Sequence, residues 1–264
     1  MAIDFAPFHA VLLDLDGTIY HEEHVLPGAV ELVARLRREG RIFACLTNST
    51  SSPQRIAARL ARMGMDLAPE LVHTAAQATA DYVLQHHSPR PRLFNLATEG
   101  LEEMLNGRVD WVETAGEKCD AVIAGAMTNL YATEERQRIA LALLRGGSAL
   151  VGICADRVYP SPRGIEFGSG AFCSLLAYAA NVAPVYCGKP EEVFFRSLCA
   201  KLHVEPARCL LIGDNLESDI FGGKRLGMRT MLILTGVTGS GDLSQVTDSH
   251  QPDAVIGDLR ELCS

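Results

Sequence analysis

The sequence predicts an α/β protein, a doubly wound parallel-sheet core interrupted by a smaller inserted α/β domain. Three observations carry that expectation. Short apolar runs recur, each stopped by polar or glycine residues, as strands buried on both faces of a parallel sheet are. Amphipathic stretches of helical period alternate with them. A span of roughly ninety residues with its own strand–helix alternation divides the chain, far too long to be a connection inside one domain.

The first run, Val11-Leu12-Leu13, ends in Asp14-Leu15-Asp16-Gly17-Thr18. Asp14 therefore falls at the carboxyl end of a buried strand, the edge of an open α/β sheet at which ligands bind. Two carboxylates so close repel each other unless a cation lies beside them, and hard oxygen ligands suit a divalent ion, Mg2+ foremost. A carboxylate can also attack phosphorus, while a neighbouring acid protonates the leaving oxygen and then activates water. Either Asp taken alone suits a turn or a helix cap equally well.

Residues 21–26 are polar and predict a flap beside that edge. Pro27-Gly28 then opens a helix over 29–38, with Val30, Leu32, Val33 and Leu36 at helical spacing and Gly40 as its stop. A second buried strand over 42–46 ends in Thr47-Asn48-Ser49-Thr50. Hydroxyls, an amide and backbone N–H groups gathered there suit a phosphate, and they suit equally an N-cap for the helix that follows over 52–64. A short strand at 71–73 and a helix over 74–85 come next, before His86-His87-Ser88-Pro89-Arg90-Pro91 breaks the pattern. Adjacent histidines project apart and no third ligand is near, so this stretch reads as a solvated hinge. It sets the expected domains: a core of residues 1–88 and 184–264, and an insert of residues 89–183.

Within the insert, strands at 93–97, 110–113, 121–124 and 149–154 alternate with helices ending at 105 and spanning 133–144, which predicts a second small sheet. Residues 156–170, rich in Pro, Gly and Ser, read as a long polar loop bearing Arg157, Tyr159 and Glu166, of a kind that lines sites. Gly168-Ser169-Gly170 leads from it into a helix, and close packing accounts for these glycines better than anion binding does.

The core resumes at Val185-Tyr186-Cys187, after which Lys189 precedes a helix opened by Pro190 and has the reach to return to the same edge. A further buried run, 209–212, passes through Gly213 into Asp214-Asn215, with Asp219 in the first turn of the next helix. Asp214 supplies the third carboxylate that a cation site with Asp14 and Asp16 requires. A strand at 229–234, a Gly-rich turn at 235–240 and an edge strand at 254–256 complete the chain.

Composition narrows the function. A net charge of −8 with no basic cluster argues against nucleic acid as a partner. No apolar run approaches membrane-spanning length, and the start lacks the positive-then-apolar order of a secretory signal. A soluble, cytoplasmic protein without a membrane partner is expected. The eight cysteines are scattered with no CxxC pair, so they read as small buried hydrophobes rather than as disulfides or a zinc site.

In order, Asp14 and Asp16, Thr47 and Asn48, Lys189, and Asp214 with Asp219 resemble the motifs of the haloacid dehalogenase superfamily of phosphohydrolases. The strings Leu46-Thr47-Asn48-Ser49, Gly168-Ser169-Gly170-Ala171, Gly188-Lys189-Pro190 and Gly213-Asp214-Asn215 are similar to its nitrophenylphosphatase, pyridoxal phosphatase and phosphoglycolate phosphatase branch. The resemblance covers nearly the whole chain. It implies a Rossmann-like core with the larger α/β cap, and a magnesium-dependent phosphatase that hydrolyses small-molecule phosphate monoesters through an aspartyl-phosphate.

On that resemblance, Asp14 is the nucleophile and Asp16 the acid that later activates water. Thr47, Asn48, Ser49 and Lys189 hold the phosphoryl group. Mg2+ takes the Asp14 and Asp214 carboxylates and the Asp16 carbonyl, while Asp219 and Asn215 orient Lys189 or the metal shell. Because dehalogenases of the superfamily lack an acid at the Asp16 position, its presence implies phosphoryl chemistry. Caps in the branch often make dimer contacts, which leaves a homodimer through the cap open.

Two departures fall in the cap. Cys154-Ala155-Asp156 stands where the branch carries an Asn-x-Asp string, and Gly125 is followed by Ala126-Met127 rather than by an aromatic or acidic residue. Both bear on the choice of substrate, for which Tyr159 is the expected contact. The alternative reading is a phosphate-ester binding or regulatory protein that keeps the fold with little turnover. Loss of a motif acid would favour it, and none is lost.

Overall fold

A computed structural model of the chain describes residues 3–125, 130–161, 164–241, 243 and 246–263. Ala126 and Met127 of the second departure lie outside the described residues. The chain forms two compact units, one of Met1–Thr47, Pro53–His73 and Lys189–Ser264, the other of Asn48–Ser52 and Thr74–Gly188.

The first unit opens with β1 (Ala10–Asp14), whose five residues are all buried. A two-stranded hairpin follows, β2 (Tyr20–His21) and β3 (His24–Val25), where a polar flap is expected. Helix α1 (Ala29–Arg38) buries Ala29, Leu32, Val33 and Leu36, the spacing of a single helical face, and leaves Val30 in solvent. Then come β4 (Ile42–Thr47), α2 (Pro53–Arg62) and β5 (Val72–Thr74).

The second unit begins with α3 (Ala75–His86), capped by the Thr74 hydroxyl, which accepts the N–H of Gln77. It continues through β6 (Arg92–Leu96), α4 (Glu99–Leu105), β7 (Asp110–Trp111) and β8 (Ala121–Ala124). Helix α5 (Glu134–Arg145), β9 (Ala149–Gly152), β10 (Val158–Ser161), β11 (Gly164–Phe167), α6 (Ser169–Ala180) and β12 (Pro184–Tyr186) complete it. The chain then returns to the first unit with α7 (Glu192–Leu202) and β13 (Cys209–Gly213). A π-helical turn, Leu216–Phe221, runs into α8 (Gly222–Arg225), followed by β14 (Arg229–Ile233) and β15 (Ala254–Ile256).

In the first unit six strands lie in the order β15-β14-β13-β1-β4-β5. Strand β1 pairs in parallel with β4 on one side and β13 on the other, so the strand order reverses beside Asp14. That reversal opens a crevice at the carboxyl ends of the strands. Successive side chains of β1 face opposite ways. Val11 and Leu13 join Leu32, Leu36, Ile56 and Leu60 in one apolar cluster beneath α1 and α2. On the other face α8 comes so close that a Cβ on Gly223 would lie 2.8 Å from Leu211 Cδ2. With helices on both faces, the sheet is the doubly wound, Rossmann-like core that the apolar runs predict.

The second unit has a five-stranded parallel sheet in the order β12-β9-β8-β6-β7, with its own apolar cluster around Phe94, Val122, Leu150 and Phe172. The units part the chain at different points from the expected 88/89 and 183/184. Helix α3 packs on α4, and β12 pairs Val185 with Val151 of β9, so both elements belong with the second sheet. Residues 156–170, expected as a loop, fold mostly into the β10–β11 hairpin, in which Tyr159 faces Glu166 across the pair. Their Pro and Gly content conceals a short antiparallel ladder with little core of its own. The Gly168-Ser169-Gly170 string is a packing device, as expected: a Cβ on Gly168 would lie 2.2 Å from the Asp156 carbonyl oxygen, and one on Gly170 2.3 Å from that of Ala155.

All eight cysteines are free, and Cys45, Cys154, Cys173, Cys187, Cys199 and Cys209 are buried. Burial pushes the Cys45 thiol up to about 12, as a packing role requires. At the expected hinge, His86 ends α3 with its ring stacked on Tyr82 at 4.2 Å. Among the described residues no helix is long and apolar enough to cross a membrane.

Candidate active site

Strand β1 delivers Asp14 to the crevice and stops, because the chain turns sharply at Gly17. The N–H groups of Thr18, Ile19 and Tyr20 all aim at the Leu15 carbonyl, and Gly17 sits at φ 81°, a conformation in which a Cβ is strained. Any Cβ there would also lie 2.4 Å from Asp214 Oδ2. Asp14 is buried, whereas Asp16, one turn out, is exposed. On the neighbouring strand Leu46 pairs with Asp14, which leaves the buried Thr47 at the same edge.

Lys189 and Asp219 enter from the far part of the unit. The Lys189 ammonium donates to Asp14 and, at 2.7 Å, to Asp219 Oδ1, with all three side chains buried. Asp219 Oδ2 in turn accepts the N–H of Asn215 at 3.2 Å. Asp214 follows β13 and is held from the other side, its Oδ2 accepting the Val237 N–H at 2.6 Å. One ligand oxygen from each of Asp14, Asp214 and Asp219 lies within 4.8 Å of the others.

The electrostatics of this group are unbalanced. Burial, and after it the nearby Asp219 and Asp214 charges, hold the Asp14 carboxyl well above the usual range despite Lys189. Burial and then Asp219 push Asp214 up to about 6. For Lys189 burial works downward but is outweighed by Asp14 and Asp219, which hold the ammonium protonated. Three buried carboxylates thus share one ammonium, a deficit that a divalent cation with hard oxygen ligands would cancel. Asp16 is different: partial shielding of its carboxyl from water by the turn raises its pKa, and His21, Arg59 and Lys189 pull it back.

Residues 11–108 match the haloacid dehalogenase-like hydrolases and residues 186–262 a second, HAD-hydrolase-like family. An acid sugar phosphatase of Staphylococcus aureus is 32% identical over 232 residues, 88% of this chain and 88% of its own. The chain belongs to the haloacid dehalogenase-like hydrolases. Within that family the crystal structure of a 4-nitrophenylphosphatase from Thermotoga maritima superposes with a TM-score of 0.88 at 29% identity, over 98% of this chain and 97% of that one. A glycerol phosphate phosphatase from Mycobacterium tuberculosis, crystallised with magnesium, gives a TM-score of 0.89 at 26% identity, over 99% of this chain and 78% of that one. This haloacid dehalogenase-like hydrolase is thus an enzyme, a phosphoric monoester hydrolase of the 4-nitrophenylphosphatase branch, and the reading as a non-catalytic binding protein falls away.

The first unit gathers Asp14, Asp16, Thr47, Lys189, Asp214 and Asp219 at one sheet edge. Three expectations need correction. The Asp16 carboxylate is not in the converging acid group, and Asp219 takes that place, because the turn at Gly17 carries Asp16 outward. Lys189 does not follow a core strand; the strand before it, β12, belongs to the second sheet, and Lys189 arrives at the head of α7. The Asn215 side chain is spent on local structure, its Oδ1 accepting the N–H groups of Glu217 and Ser218 as the cap of the π-helical turn.

The remaining expected residues belong to the second unit. There the Asn48 amide donates to both oxygens of Asp156 at 3.1 and 3.2 Å, while Ser49 Oγ accepts the N–H of Ser51. On the β10–β11 hairpin the Tyr159 hydroxyl donates to Glu166 Oε2 at 3.0 Å. The Gly-rich turn after β14 was not expected at the site. Besides the Val237 contact, its Thr235 hydroxyl donates to the Gly17 carbonyl at 2.6 Å, and a Cβ on Gly236 would lie 1.9 Å from Asp214 Oδ2. A glycine after a buried strand in the same sheet was the only signal for it.

Proposed function

We propose that this phosphatase hydrolyses small-molecule phosphate monoesters with Mg2+ through an aspartyl-phosphate on Asp14. The observation that carries the reading is the excess of buried carboxylate around Lys189 at the strand-order reversal. The magnesium in a related glycerol phosphate phosphatase supports it. The donor set fits a small hard cation, with the Asp14 and Asp214 carboxylates and the Asp16 carbonyl as its ligands. When bound, the ion would supply positive charge to the phosphoryl oxygens and lower the pKa values of the carboxylates around it.

Within that frame Asp14 attacks phosphorus as a carboxylate, and the ester oxygen leaves. Lys189, fixed by Asp219, holds its charge towards the nucleophile and the incoming oxygens, so little reorganisation is needed as charge moves. Thr47 and the backbone at Asn48 and Ser49 complete the phosphoryl cradle. Asp16, exposed and free of the acid cluster, gives a proton to the leaving oxygen and then takes one from the attacking water. A homodimer through the second unit is the proposed assembly. A cytoplasmic location belongs to the same proposal, and the net charge of −8 agrees with it.

The test is hydrolysis of 4-nitrophenyl phosphate with and without Mg2+, for the protein and for Asp14→Asn. Turnover should require both the ion and Asp14. Undiminished activity in chelator, or in Asp14→Asn, would overturn the reading. A panel of sugar, glycerol and nucleoside monophosphates would then rank the ester class.

A further inference from the structure

Arg59 of α2 reaches across to the hairpin that follows Asp16. Arg59 donates through Nη2 to the Glu22 carbonyl at 2.6 Å, through Nε to Glu23 Oε1 at 3.2 Å and through Nη1 to the Tyr20 hydroxyl at 3.4 Å. Its guanidinium also lies over the Tyr20 ring, 4.7 Å from the centroid. The base of the hairpin is seated in the core through the buried Tyr20 and through Val25 packed against the same cluster, whereas its tip at Glu22 and Glu23 is exposed. Its ladder has only two residue pairs, Tyr20 with Val25 and His21 with His24, and Glu22 at its tip adopts φ 52°. The same hairpin fixes Asp16: the Gly17 N–H donates to the Tyr20 carbonyl at 2.8 Å, and Asp16 bridges to Tyr20.

We infer that Arg59 is a positioning residue for Asp16, a clasp on β2 and β3 that keeps the acid's turn in register with the crevice. The inference rests on the acid role proposed for Asp16. The planar guanidinium explains the choice of residue, since it gives three divergent donors and a stacking face at once, which an ammonium does not. A loosened hairpin leaves Asp14, Lys189 and the cation ligands in place while the proton donor wanders. The loss should therefore depend on how much the leaving group needs a proton.

The experiment compares Arg59→Gln and Arg59→Lys with the unaltered protein, in Mg2+, on an aryl and an alkyl phosphate. We expect kcat for the alkyl ester to fall about tenfold more than for the aryl ester, with KM little changed. Arg59→Lys should restore little. In an Asp16→Asn background Arg59→Gln should add no further alkyl-selective loss, because the group it positions is gone. Equal losses on both esters, or full additivity with Asp16→Asn, would overturn the clasp. If Asp16→Asn itself slows both esters equally, the acid assignment fails and the clasp with it. If Asp16→Asn is alkyl-selective and Arg59→Gln is not, only the clasp fails. Thermal unfolding of each variant separates either result from simple loss of fold.

Discussion

Lys189 donates to Asp219 at 2.7 Å inside the protein, and the same carboxylate accepts the Asn215 N–H through its other oxygen. Asp219 is thus anchored at both ends, to the ammonium and to the backbone that carries Asp214. Gly213 makes room for it, since a Cβ there would lie 2.5 Å from the Asp219 carboxylate. One buried acid therefore fixes the distance between the cation of the site and the third carboxylate.

Asp219→Asn keeps the shape and removes the charge, while Lys189 stays paired with Asp14. Repulsion among the carboxylates is relieved, so stability of the metal-free protein should change little. Turnover should fall roughly a hundredfold, the scale of losing one preorganised charge contact. Urea unfolding and steady-state kinetics of the variant would check both expectations. An unchanged kcat would remove Asp219 from the site.

Gly236→Ala should act on Asp214 alone. Gly236 is not in the left-handed region, so the backbone accepts alanine, but the new Cβ would overlap Asp214 Oδ2 at 1.9 Å. The carboxylate must swing away from the Val237 N–H. Apparent affinity for Mg2+ should weaken by about tenfold or more, the scale of a lost ligand-orienting contact, while the fold stays intact by circular dichroism. Gly64→Ala is not a fair control, because Gly64 lies at φ 86°; Gly116→Ala is, since a Cβ there meets nothing within 4 Å.

Metal and protons should compete. An acid whose pKa is raised by folding binds protons that the unfolded chain has already released, so the metal-free protein loses stability as pH rises through that window. Asp214, pushed up to about 6 from 3.8, sets the window between those values. Mg2+ takes the deprotonated form and cancels the repulsion. The rise in melting temperature on adding Mg2+ should accordingly be large at pH 7.5 and shrink below about pH 6. Differential scanning calorimetry at a series of pH values would measure it. A Mg2+ effect independent of pH would place the ion elsewhere.

Much of this was legible in the chain. Val11-Leu12-Leu13 and Leu210-Leu211-Ile212 read as strands because a parallel sheet covered on both faces admits only apolar residues, and the acids that end them stand out. Asp14 and Asp214 could be named for that reason. Tertiary choices were not legible. Val185 and Tyr186 form a short strand that either sheet could take, and only the pairing with Val151 and Gly152 decides. The β10–β11 hairpin was hidden by Pro160 and the glycines around it. Arg59 reads as one more basic residue on a helix face, since its partners Tyr20, Glu22 and Glu23 lie 36 to 39 residues earlier in the chain. Asn215 was drawn into the site by its neighbour, whereas its amide oxygen was needed at a helix start.

His73 offers a measure of the core that is independent of the metal. Its ring is buried against Phe194 at 4.8 Å, with Nε2 near the Ser197 hydroxyl and the Phe194 carbonyl. Burial, and after it the Lys201 charge, push its pKa down to about 3 from 6.5. The sign follows from proton counting. Between pH 6.5 and about 3 the unfolded chain binds a proton at this residue and the native state does not, so stability falls as pH falls. The slope is at most about 1.4 kcal/mol per pH unit for one group. Replacing the imidazole by a neutral side chain removes this term but also its ring contact, so His73→Gln should be less stable at pH 7.5. It should lose less than the unaltered protein on going to pH 5. Urea unfolding of both proteins at the two pH values, in chelator to remove metal effects, gives the difference of slopes. Parallel slopes would mean that His73 takes up its proton in the native state, and the neutral, buried imidazole would have to be abandoned.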